Sequence, residues 1–518
     1  MTQEMLQSRT HERMDTQDFR DKLFSQEPRL IEVAHRLATS IRATPQDAKY
    51  ADVTPRAFIV GGFVRDTILG GHPKDIDIEV YGVSPERLEE ILHQLYPGVV
   101  NTVGRSFGIL KIHLGEDVEF DVSIPRRESK TGRGHKGFAV TSDPGMTLED
   151  AARRRDFTWN ALAADPLTGE LIDPFGGLQD LRDRILRVTD AERFQDDPLR
   201  VYRALQLAAR MEMTVEPKSH ELLREMVARG DLTELAPERV TEELRKLLLK
   251  AQKPSIGFAL ARELGIIERD YSELQALIGC EQEAEWHPEG DVWTHTLMVI
   301  DEAAKIIRDP ARTFSAEEKL EVMIGALCHD VGKPATTAHL EGRIRSRGHE
   351  EAGVEPTQTL LGRLSFGDHI LHAAVAIVKD HLKPGMLSIQ RENGALTDTT
   401  YANAIRKLLK RIHPTSWCVL VAASEADYRG RGIPGSSTEP YAHGNLLAET
   451  VQRYRLDEAP TQPLIQGRDL LALGMTPGPS MGKLIAHIEK LRDAGTLTTR
   501  EEALLEATRR LHDFVRNV

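Results

Sequence analysis

The chain has 518 residues, a formal net charge of −13 and three cysteines. This length predicts roughly three or four domains, and 40% hydrophobic with 28% charged residues is ordinary for a soluble globular protein. The polar N-terminal stretch lacks the apolar core of a signal peptide, and no run approaches the roughly 18 apolar residues of a membrane span. Three widely spaced cysteines argue against a disulfide framework and favour a reducing compartment. We therefore expect a cytoplasmic protein without a membrane partner.

The predicted elements begin with a helical, charged N-terminal extension over residues 1–54. From Ala57 the pattern changes to short strands and helices. The strand "AFIV" leads through Gly61-Gly62 into a helix, and the strands "DIDIEVYG", "FGILKIHL" and "VEFDVSI" follow. This alternation predicts a mixed α/β domain over residues 55–190.

Beyond this domain, apolar residues recur at i, i+3 and i+4, which is typical of amphipathic helices. Examples are "PLRVYRALQLAARM", "PERVTEELRKLLLKA" and "EKLEVMIGALCHDVG". The Gly-, Ser- and Pro-rich stretch "RGRGIPGSSTEP", residues 429–440, is the predicted late linker. We therefore predict an α+β protein in which residues 191–278 form a helical neck, 279–430 a second helical domain, and 431–518 a linker with a small helical tail.

Two carboxylates stand at alternate positions of one predicted strand, in "KDIDIEVYG". Because residues i and i+2 of a strand share a face, Asp75 and Asp77 would point the same way, about 7 Å apart. Like charges on one face repel each other unless a cation lies between them. A magnesium ion that holds a nucleoside triphosphate would satisfy this pair. Asp121 is a further candidate, although a surface-facing strand acid fits its position equally well.

The turn before this strand carries residues suited to phosphate. Gly61 and Gly62 permit close approach of the backbone to a phosphate, and the N-terminus of the following helix favours anions. Arg65, one turn into that helix, would add a charge-assisted contact. Because glycines before a helix are common, this prediction depends on the carboxylate pair that follows.

The acidity of the chain bears on any nucleic-acid partner. A net charge of −13 does not forbid RNA binding, but it requires a local basic surface. The candidates are "RRESKTGRGHK", residues 126–136, and the run Arg153-Arg154-Arg155. A solvated loop is an equally good interpretation of each stretch taken alone.

Together these residues resemble the head domain of the tRNA nucleotidyltransferase (CCA-adding) and bacterial poly(A) polymerase family. Three further stretches are similar to motifs of that family. "RRRDFTWNAL" resembles its ribose- and triphosphate-binding motif, "IDPFGG" its head-to-neck connector, and "DDPLRVYR" its amino-acid template for the incoming base. The resemblance covers residues 57 to 430, and the four motifs stand in the family's order.

The resemblance implies template-independent addition of CCA to the 3′ end of tRNA from CTP and ATP, with Asp75 and Asp77 as catalytic ligands of Mg²⁺. It also implies that Arg155 contacts the phosphates and that Asp156 contacts the ribose 2′-hydroxyl. The basic stretch at residues 126–136 resembles the family's mobile loop. A poly(A) polymerase, or an enzyme that adds only A or only CC, shares these motifs and is the alternative.

The template motif has a logic that follows from the bases. Cytosine and adenine each present an exocyclic amino donor beside a ring-nitrogen acceptor, whereas guanine and uracil present the reverse. One Arg donor with one Asp acceptor therefore accepts C and A and rejects G and U. Asp197 and Arg200 are the candidates, and Arg203, one turn further on, would contact phosphate. Alone, such a pair would indicate only an ion pair on a helix surface.

The sequence departs from the family pattern at two places. Asp196 stands where Glu is usual, and the shorter side chain would loosen the discrimination of C and A if that acid orients Arg200. Gln206 and Leu207 stand where Arg-Phe is usual. Neither departure predicts a defined change in activity.

A second set of residues has the composition of a transition-metal site. His295 lies in "WHPEGDVWTHTL", the adjacent pair His329-Asp330 in "GALCHDVGK", and Asp427 in "SEADYRGR". Their order resembles the HD phosphohydrolase superfamily, and a known subgroup of CCA-adding enzymes carries such a domain. Imidazole with carboxylate suits Ni²⁺, Co²⁺ or Mn²⁺ rather than Mg²⁺, and the resemblance implies metal-dependent hydrolysis of a phosphoester.

Two further histidines, His349 and His381, are additional candidates for this site, although an isolated His is more often a satisfied helix residue. A protein of another class also fits the second site: an HD hydrolase whose polymerase head survives only as an RNA-binding module. The intact carboxylates at Asp75 and Asp77 argue against that alternative, because a binding module has no need of a metal pair.

Overall fold

The computed structural model describes residues 16–26, 28–50, 52–73, 75–101, 109–114, 118–130, 138–457, 464–493, 496–497 and 499–515. The chain divides into two compact units, residues 1–247 with 256–269 and residues 248–255 with 270–518. A mixed sheet precedes a long series of helices, so the predicted α+β class is confirmed. The predicted boundaries after residues 54 and 190 lie inside the first unit, and the one after residue 278 lies inside the second.

The first unit contains eleven described strands, most of which form one sheet. They are β1 (Arg56–Val60), β2 (Ile76–Tyr81), β3 (Val100–Asn101), β4 (Ile109–Leu114), β5 (Val118–Ser123), β6 (Arg126–Lys130), β7 (Phe138–Ser142), β8 (Ala163–Ala164), β9 (Leu171–Ile172), β10 (Ile185–Leu186) and β11 (Thr214–Val215). The seven-stranded sheet has the order β3-β4-β5-β2-β1-β8-β9. Its central neighbours β2 and β5 are parallel, and its other neighbours are antiparallel.

The helices up to residue 270 surround and follow this sheet. They are α1 (Thr16–Ser25), α2 (Pro28–Arg42), α3 (Gly62–Ile68), α4 (Pro85–Leu95), α5 (Leu148–Arg153), α6 (Gly177–Arg182), α7 (Ala191–Phe194), α8 (Leu199–Met211), α9 (Pro217–Arg229), α10 (Pro237–Lys250), α11 (Pro254–Glu263) and α12 (Ile266–Asp270). Three-residue or four-residue 3₁₀ turns lie at Ala48–Tyr50, Thr158–Asn160 and Asp231–Glu234.

Helix α2, which lies within the predicted N-terminal extension, is part of the core of the first unit. Leu30, Ala34, Leu37 and Ile41 recur at three- and four-residue spacing along α2 and are buried. This spacing gives the helix one apolar face, and the helix packs on β1, β2 and β5. The sheet therefore obtains part of its cover from residues that precede the first motif.

Strand β2 separates the core from the site. Ile76 and Ile78 are buried on one face of the strand, at 1% and 0% exposure. Asp77 and Glu79 alternate with them and therefore lie on the opposite face. The alternation that stabilises the sheet thus also fixes the direction of the carboxylates.

The second unit is helical apart from one hairpin. Its elements are α13 (Ser272–Gln275), α14 (Val292–Ile306), α15 (Ala316–Cys328), α16 (Lys333–Thr336), β12 (Thr337–Leu340), β13 (Arg343–Ser346), α17 (His349–Ala352), α18 (Val354–Gly362), α19 (Asp368–Asp380), α20 (Lys383–Glu392), α21 (Asp398–Ile412), α22 (Trp417–Gly430), α23 (Ala442–Tyr454), α24 (Gly467–Ala472), α25 (Pro479–Asp493) and α26 (Arg500–Val515). Helices α14, α15, α19 and α22 pack on one another at its centre.

The predicted linker at residues 429–440 does not end the helical domain. Helix α23, which follows it, packs on α20, α21 and α22. Within the linker, Ser436 is buried and donates a hydrogen bond to the Arg431 carbonyl at 2.7 Å. The tail begins later: α24 to α26 bury their own cluster, which includes Leu470, Leu484 and Ile488.

We predict that Leu37→Ala weakens the sheet of the first unit, because this fully buried side chain fills the space between α2 and the core. A large-to-small change in a core costs about 2–5 kcal/mol of unfolding free energy. Hydrogen exchange of the β1 amides should accelerate accordingly. His35→Ala, at an exposed position of the same helix, is the matched control. Unchanged β1 protection in Leu37→Ala would contradict the packing role of α2.

Candidate active site and metal centre

A cleft of about 490 Å³ in the first unit brings together the residues predicted to bind nucleotide. Strand β2, the turn before α3, the segment after α5 and the start of α8 all contribute side chains. The lining includes every predicted nucleotide-binding residue together with Asp77: Gly61, Gly62, Arg65, Arg155, Asp156, Asp197, Arg200 and Arg203. Asp75 is exposed and lies immediately before β2, which begins at Ile76.

Carboxylates crowd the strand side of the cleft. Asp77 pairs in register with Asp121 on the parallel strand β5, and Asp121 lies 3.2 Å from the ammonium of Lys111. Asp77 remains accessible from the cleft, but partial desolvation raises its pKa, Arg155 opposes this rise, and Asp121 and Asp75 add to it. A cation bound at this face would relieve the repulsion. These oxygen donors therefore fit a divalent metal ion.

The turn at Gly61 requires glycine. Its φ is +72°, in the region that side chains rarely adopt. A Cβ at Gly61 would also lie 3.2 Å from Nη1 of Arg155 and 3.8 Å from a carboxylate oxygen of Asp77. The absence of a side chain lets the turn, the arginine and the acid occupy the same corner of the cleft.

Arg65 is directed into the protein. Its side chain donates to Asn160 Oδ1 at 2.9 Å and to Asp66 Oδ1 at 2.6 Å, and its guanidinium lies 5.5 Å from the ring of Trp159. The residue is 6% exposed. These contacts hold α3 against the segment that follows α5, so the predicted phosphate-binding arginine is committed to internal bonds.

Asp156 and Arg203 form a two-point ion pair. Arg203 donates from Nε at 2.8 Å and from Nη2 at 2.6 Å to one oxygen of Asp156. The other oxygen of Asp156 accepts from Asn160 and from the Phe157 amide, both at 2.9 Å. Burial alone would raise the pKa of Asp156, but Arg203 and Asn160 hold it below its ordinary value. This charged pair links the head to helix α8.

The predicted template residues lie in the cleft but are oriented by other groups. Arg200 donates to the carbonyls of Arg193 at 2.8 Å and Arg154 at 2.7 Å. Asp197 instead accepts from Nη2 of Arg239, at 3.0 Å and 3.3 Å. Main-chain carbonyls therefore hold Arg200, and Arg239 holds Asp197.

Arg239 is a cleft residue that the sequence reasoning missed. It lies in the first turn of α10, 42 positions after its partner Asp197, and it lines the same cavity. No local spacing rule connects two residues so far apart on different helices. The only signal was an arginine near a helix start in "PERVTEEL", which is a common pattern.

Glu79 is a second missed residue. It lies on the Asp77 face of β2 and is 2% exposed. Its carboxylate accepts from Arg154 Nη2 at 2.6 Å and from the Tyr81 hydroxyl at 2.7 Å. Burial alone would raise the pKa of Glu79, but Arg155 and Arg154 hold it below its ordinary value. The alternation that places Asp75 and Asp77 on one face of the strand places Glu79 on the same face.

In the second unit, the four predicted metal ligands converge in the interior. His295 Nε2 lies 3.1 Å from Asp427 Oδ1 and 3.3 Å from His329 Nε2. His329 Nε2 lies 3.1 Å from Asp330 Oδ2. All four residues are at most 5% exposed. Residues separated by up to 132 positions in the sequence thus present their ligand atoms to one centre.

The tautomers of the histidines suit metal binding. Nδ1 of His295 lies 2.8 Å from Glu289 Oε1, and Nδ1 of His329 lies 2.8 Å from the Ala326 carbonyl. Because these acceptors can take the Nδ1 proton, a metal ion at the centre would be bound through Nε2 of each ring. Glu289 was not predicted. Burial alone would raise its pKa, but hydrogen bonds from His287 and His295 hold it well below the ordinary value.

His349 and His381 form a second group that shares Asp330 with the first. Ligand atoms of Asp330, His349 and His381 lie within 4.8 Å of one another. Nδ1 of His349 lies 2.8 Å from the Ser346 carbonyl, and its buried Nε2 makes no hydrogen bond to any described residue. Burial lowers the pKa of His381 to about 4. The neutral imidazole of His381 and Nε2 of His349, which lies 3.4 Å from Asp330 Oδ1, both fit metal ligands.

Cationic side chains line the opening of this centre. Lys333 lies 2.6 Å from Asp330 Oδ2, and Arg431 lies 3.4 Å from Asp427 Oδ2. With Arg345 they line a cavity of about 240 Å³ that also reaches His349 and His381. The cavity therefore combines ligands for metal ions with positive charge suited to an anionic substrate.

Three protein families match successive parts of the chain. Residues 57–187 match the Poly A polymerase head domain, residues 212–277 the probable RNA and SrmB-binding site of polymerase A, and residues 292–414 the HD domain. A "Multifunctional CCA protein" of Stenotrophomonas maltophilia strain R551-3 is 35% identical over 434 residues, which cover 83% of this chain and 97% of that protein. This chain belongs to the multifunctional CCA protein family. The resemblance predicted from the motifs is confirmed.

Solved structures agree with membership in the multifunctional CCA protein family at the level of the fold. The Bacillus stearothermophilus CCA-adding enzyme in complex with CTP has a TM-score of 0.60 and 19% identity, covering 94% of this chain and 99% of that chain. The Thermotoga maritima CCA-adding enzyme complexed with tRNA(CCA) has a TM-score of 0.56 and 18% identity, covering 95% and 98%.

The structure also bears on the predictions about metal ions, membrane spans and cysteines. Nucleotidyltransferase heads and HD domains generally use divalent metal ions, and this family member has His/Asp groups able to hold them. None of the helices in the described ranges combines the length and the apolar character needed to cross a bilayer. All three cysteines lie in described ranges and are free thiols.

Proposed function

We propose that this protein adds C, C and A to the 3′ end of tRNA from CTP and ATP, and that its second unit hydrolyses a phosphoester. The observation that carries the first activity is the shared cleft, where the Asp77–Asp121 face lies with Asp197 and Arg200. A nucleotidyltransferase needs these two features together: an acidic strand face for the triphosphate metal and a neighbouring pair able to select a base.

The proposed reaction joins the RNA 3′-oxygen to the α-phosphorus while pyrophosphate leaves. Bound Mg²⁺, held by Asp75 and Asp77, would neutralise the triphosphate and favour ionisation of the 3′-hydroxyl. Arg155, beside the Gly61 turn, is placed to bind phosphate oxygens. The open backbone at Gly61 and Gly62 lets those phosphates approach the main chain.

Base selection is assigned to Asp197 and Arg200. Arg200 is fixed by two carbonyls and packs on Phe194, with 5.7 Å from its guanidinium to the ring centroid. Asp197 is fixed by Arg239. A preorganised donor and acceptor lose little entropy when they pair with a base, so C and A are accepted, whereas G and U present the opposite donor and acceptor pattern and are rejected.

The remaining cleft residues are proposed to position these groups. We assign Asp156 to the ribose 2′-hydroxyl. Arg203 donates two hydrogen bonds to Asp156, so we assign Arg203 to positioning that acid. Arg65 is assigned to stiffening the turn through Asn160. We propose a cytoplasmic location, because the proposed substrate is tRNA and because the free thiols fit a reducing compartment.

A second activity is favoured by the convergence of His295, His329, Asp330 and Asp427. Ni²⁺, Co²⁺ or Mn²⁺ bound there would lower the pKa of a water molecule for attack on phosphorus. Lys333 and Arg431 are placed to hold the anionic ester. His349 and His381 could hold a second ion, and Asp330 would then be a ligand of both ions.

We expect labelled tRNA that lacks its 3′ end to gain two C and one A when CTP and ATP are supplied. Asp75→Ala should abolish this addition, because the metal loses one of its two proposed carboxylate ligands, while tRNA affinity changes little. Electrophoresis of the products and a binding titration measure both quantities. Long A tails, or A alone, would instead indicate a poly(A) polymerase or a partial enzyme.

Arg239→Ala should weaken the use of CTP and ATP, because Asp197 loses its charged partner. A hydrogen bond to a charged group is worth about 1.5–3 kcal/mol, so kcat/KM should fall roughly 10- to 100-fold. Steady-state kinetics with each nucleotide measures this change. Arg245→Ala, on the same helix and paired only at the surface with Glu242, is the control. Equal kinetics in the two variants would contradict the role of Arg239 in orienting Asp197.

We expect the two activities to be separable. His349→Ala should reduce the bound transition metal, measured by elemental analysis of the purified protein, and should reduce hydrolysis of a phosphomonoester or 2′,3′-cyclic nucleotide. CCA addition should persist, because its metal ligands belong to the other unit. His339→Ala, at an exposed hairpin position, is the control. A wild-type protein without bound metal or phosphoesterase activity would contradict the second assignment.

A further inference from the structure

We infer that Glu79 is a positioning residue for base selection, which acts through Arg154 on Arg200. The inference rests on the proposed template role of Arg200. Two contacts join three residues on different elements: a carboxylate on β2, an arginine just after α5, and a second arginine on α8. Each contact is short, and together they connect the strand of the metal-binding face to the base-selecting side chain.

The first contact fixes Glu79. The residue follows Asp77 by two positions on the same strand face, and in the sheet it pairs with Phe58 on β1 and Ser123 on β5. Both neighbouring strands therefore hold its backbone. Its carboxylate is 2% exposed, and a charge so deeply buried is retained only when it is paired. Arg154 at 2.6 Å supplies that charge.

The second contact uses the other end of Arg154. Its main-chain carbonyl accepts from Nη2 of Arg200 at 2.7 Å. The side chain of Arg154 thus points to β2, whereas its backbone holds the template arginine. If the ion pair with Glu79 fixes the backbone of Arg154, it also fixes the acceptor that aims Arg200.

The neighbouring residues explain why this position is sensitive. Arg155 lies against the Gly61 turn, and Asp156 is held by Arg203. Arg154 and Asp156 are thus ion-paired to two separate elements, β2 and α8, with Arg155 between them, so a shift of Arg154 also displaces its neighbours. A displaced carbonyl would let Arg200 rotate, and the donor geometry that rejects U and G would be lost.

A purely structural ion pair is the competing interpretation. Breaking a buried pair destabilises a protein, whatever its role. Such a loss lowers the amount of active enzyme and reduces the use of every nucleotide in proportion. A positioning role instead changes the ratio between nucleotides. The ratio of kcat/KM for CTP to that for UTP therefore separates the two interpretations.

The test uses the full-length protein and tRNA that lacks CCA. Glu79→Gln keeps the shape of the side chain but removes the charge that Arg154 pairs with. We expect the CTP:UTP ratio to fall at least tenfold. Arg154→Ala, at a partly exposed side chain, should give the same fall and serves if Glu79→Gln does not fold. The double variant should lose no more than either single variant, because both changes act through one connection.

Tyr81→Phe is the control, since it removes the other hydrogen bond to Glu79 and leaves the Arg154 pair intact. Its CTP:UTP ratio should stay within twofold of the wild-type ratio. Equilibrium binding of CTP and UTP to each protein provides a readout that does not depend on turnover. If the wild type prefers CTP and both Glu79→Gln and Arg154→Ala keep that preference, the inference is wrong. A wild type that binds CTP and UTP equally would instead overturn the template role of Arg200 and this inference with it.

Discussion

Carboxylates inside the first unit are kept ionised by arginines from one short segment, and the geometry of the cleft depends on this pairing. Arg154 binds Glu79, Arg155 lies beside Asp77 and Glu79, and Asp156 is itself the acid that Arg203 binds. A buried carboxylate without such a partner would take up a proton or destabilise the fold. The segment therefore cannot move relative to β2 and α8 without breaking ion pairs. Side chains that it contacts are held in place with it.

The centre of the second unit pairs Asp330 with Lys333 and Asp427 with Arg431, and it also brings buried polar groups together in a different way. There the polar groups face one another across a centre, with His295, His329, Asp330 and Asp427 within bonding distance of their neighbours. Outer acceptors such as Glu289 and main-chain carbonyls fix the ring orientations. Salt bridges thus hold one side chain against another. The ring nitrogens and carboxylate oxygens that converge on one point instead suit a metal ion as their common partner.

Local patterns predicted the elements and the residue types of both sites, because strand alternation and helical spacing act over a few residues. The family resemblance, rather than periodicity, indicated Asp197 and Arg200, which line the same cleft as Asp77. Local patterns did not predict partners that arise only from packing. Arg239 meets Asp197 across two helices, Arg203 turns to Asp156 rather than outward, and α2 covers a sheet that begins after it. Such pairings depend on how distant elements meet, which no periodicity encodes.

A chain with a net charge of −13 needs a local basic surface to bind a polyanion, and the cleft supplies one. Among the described residues that line it are seven arginines and five carboxylates, so the cleft carries an excess of positive charge. Most of these arginines are already bonded to an acid or a carbonyl, which fixes their direction, and an ion pair still presents donors that a phosphate oxygen can accept. The binding of a polyanion therefore depends on how charged groups are arranged within the cleft. The low-dielectric walls of a cleft strengthen the local electric field, which the net charge of the whole chain does not describe.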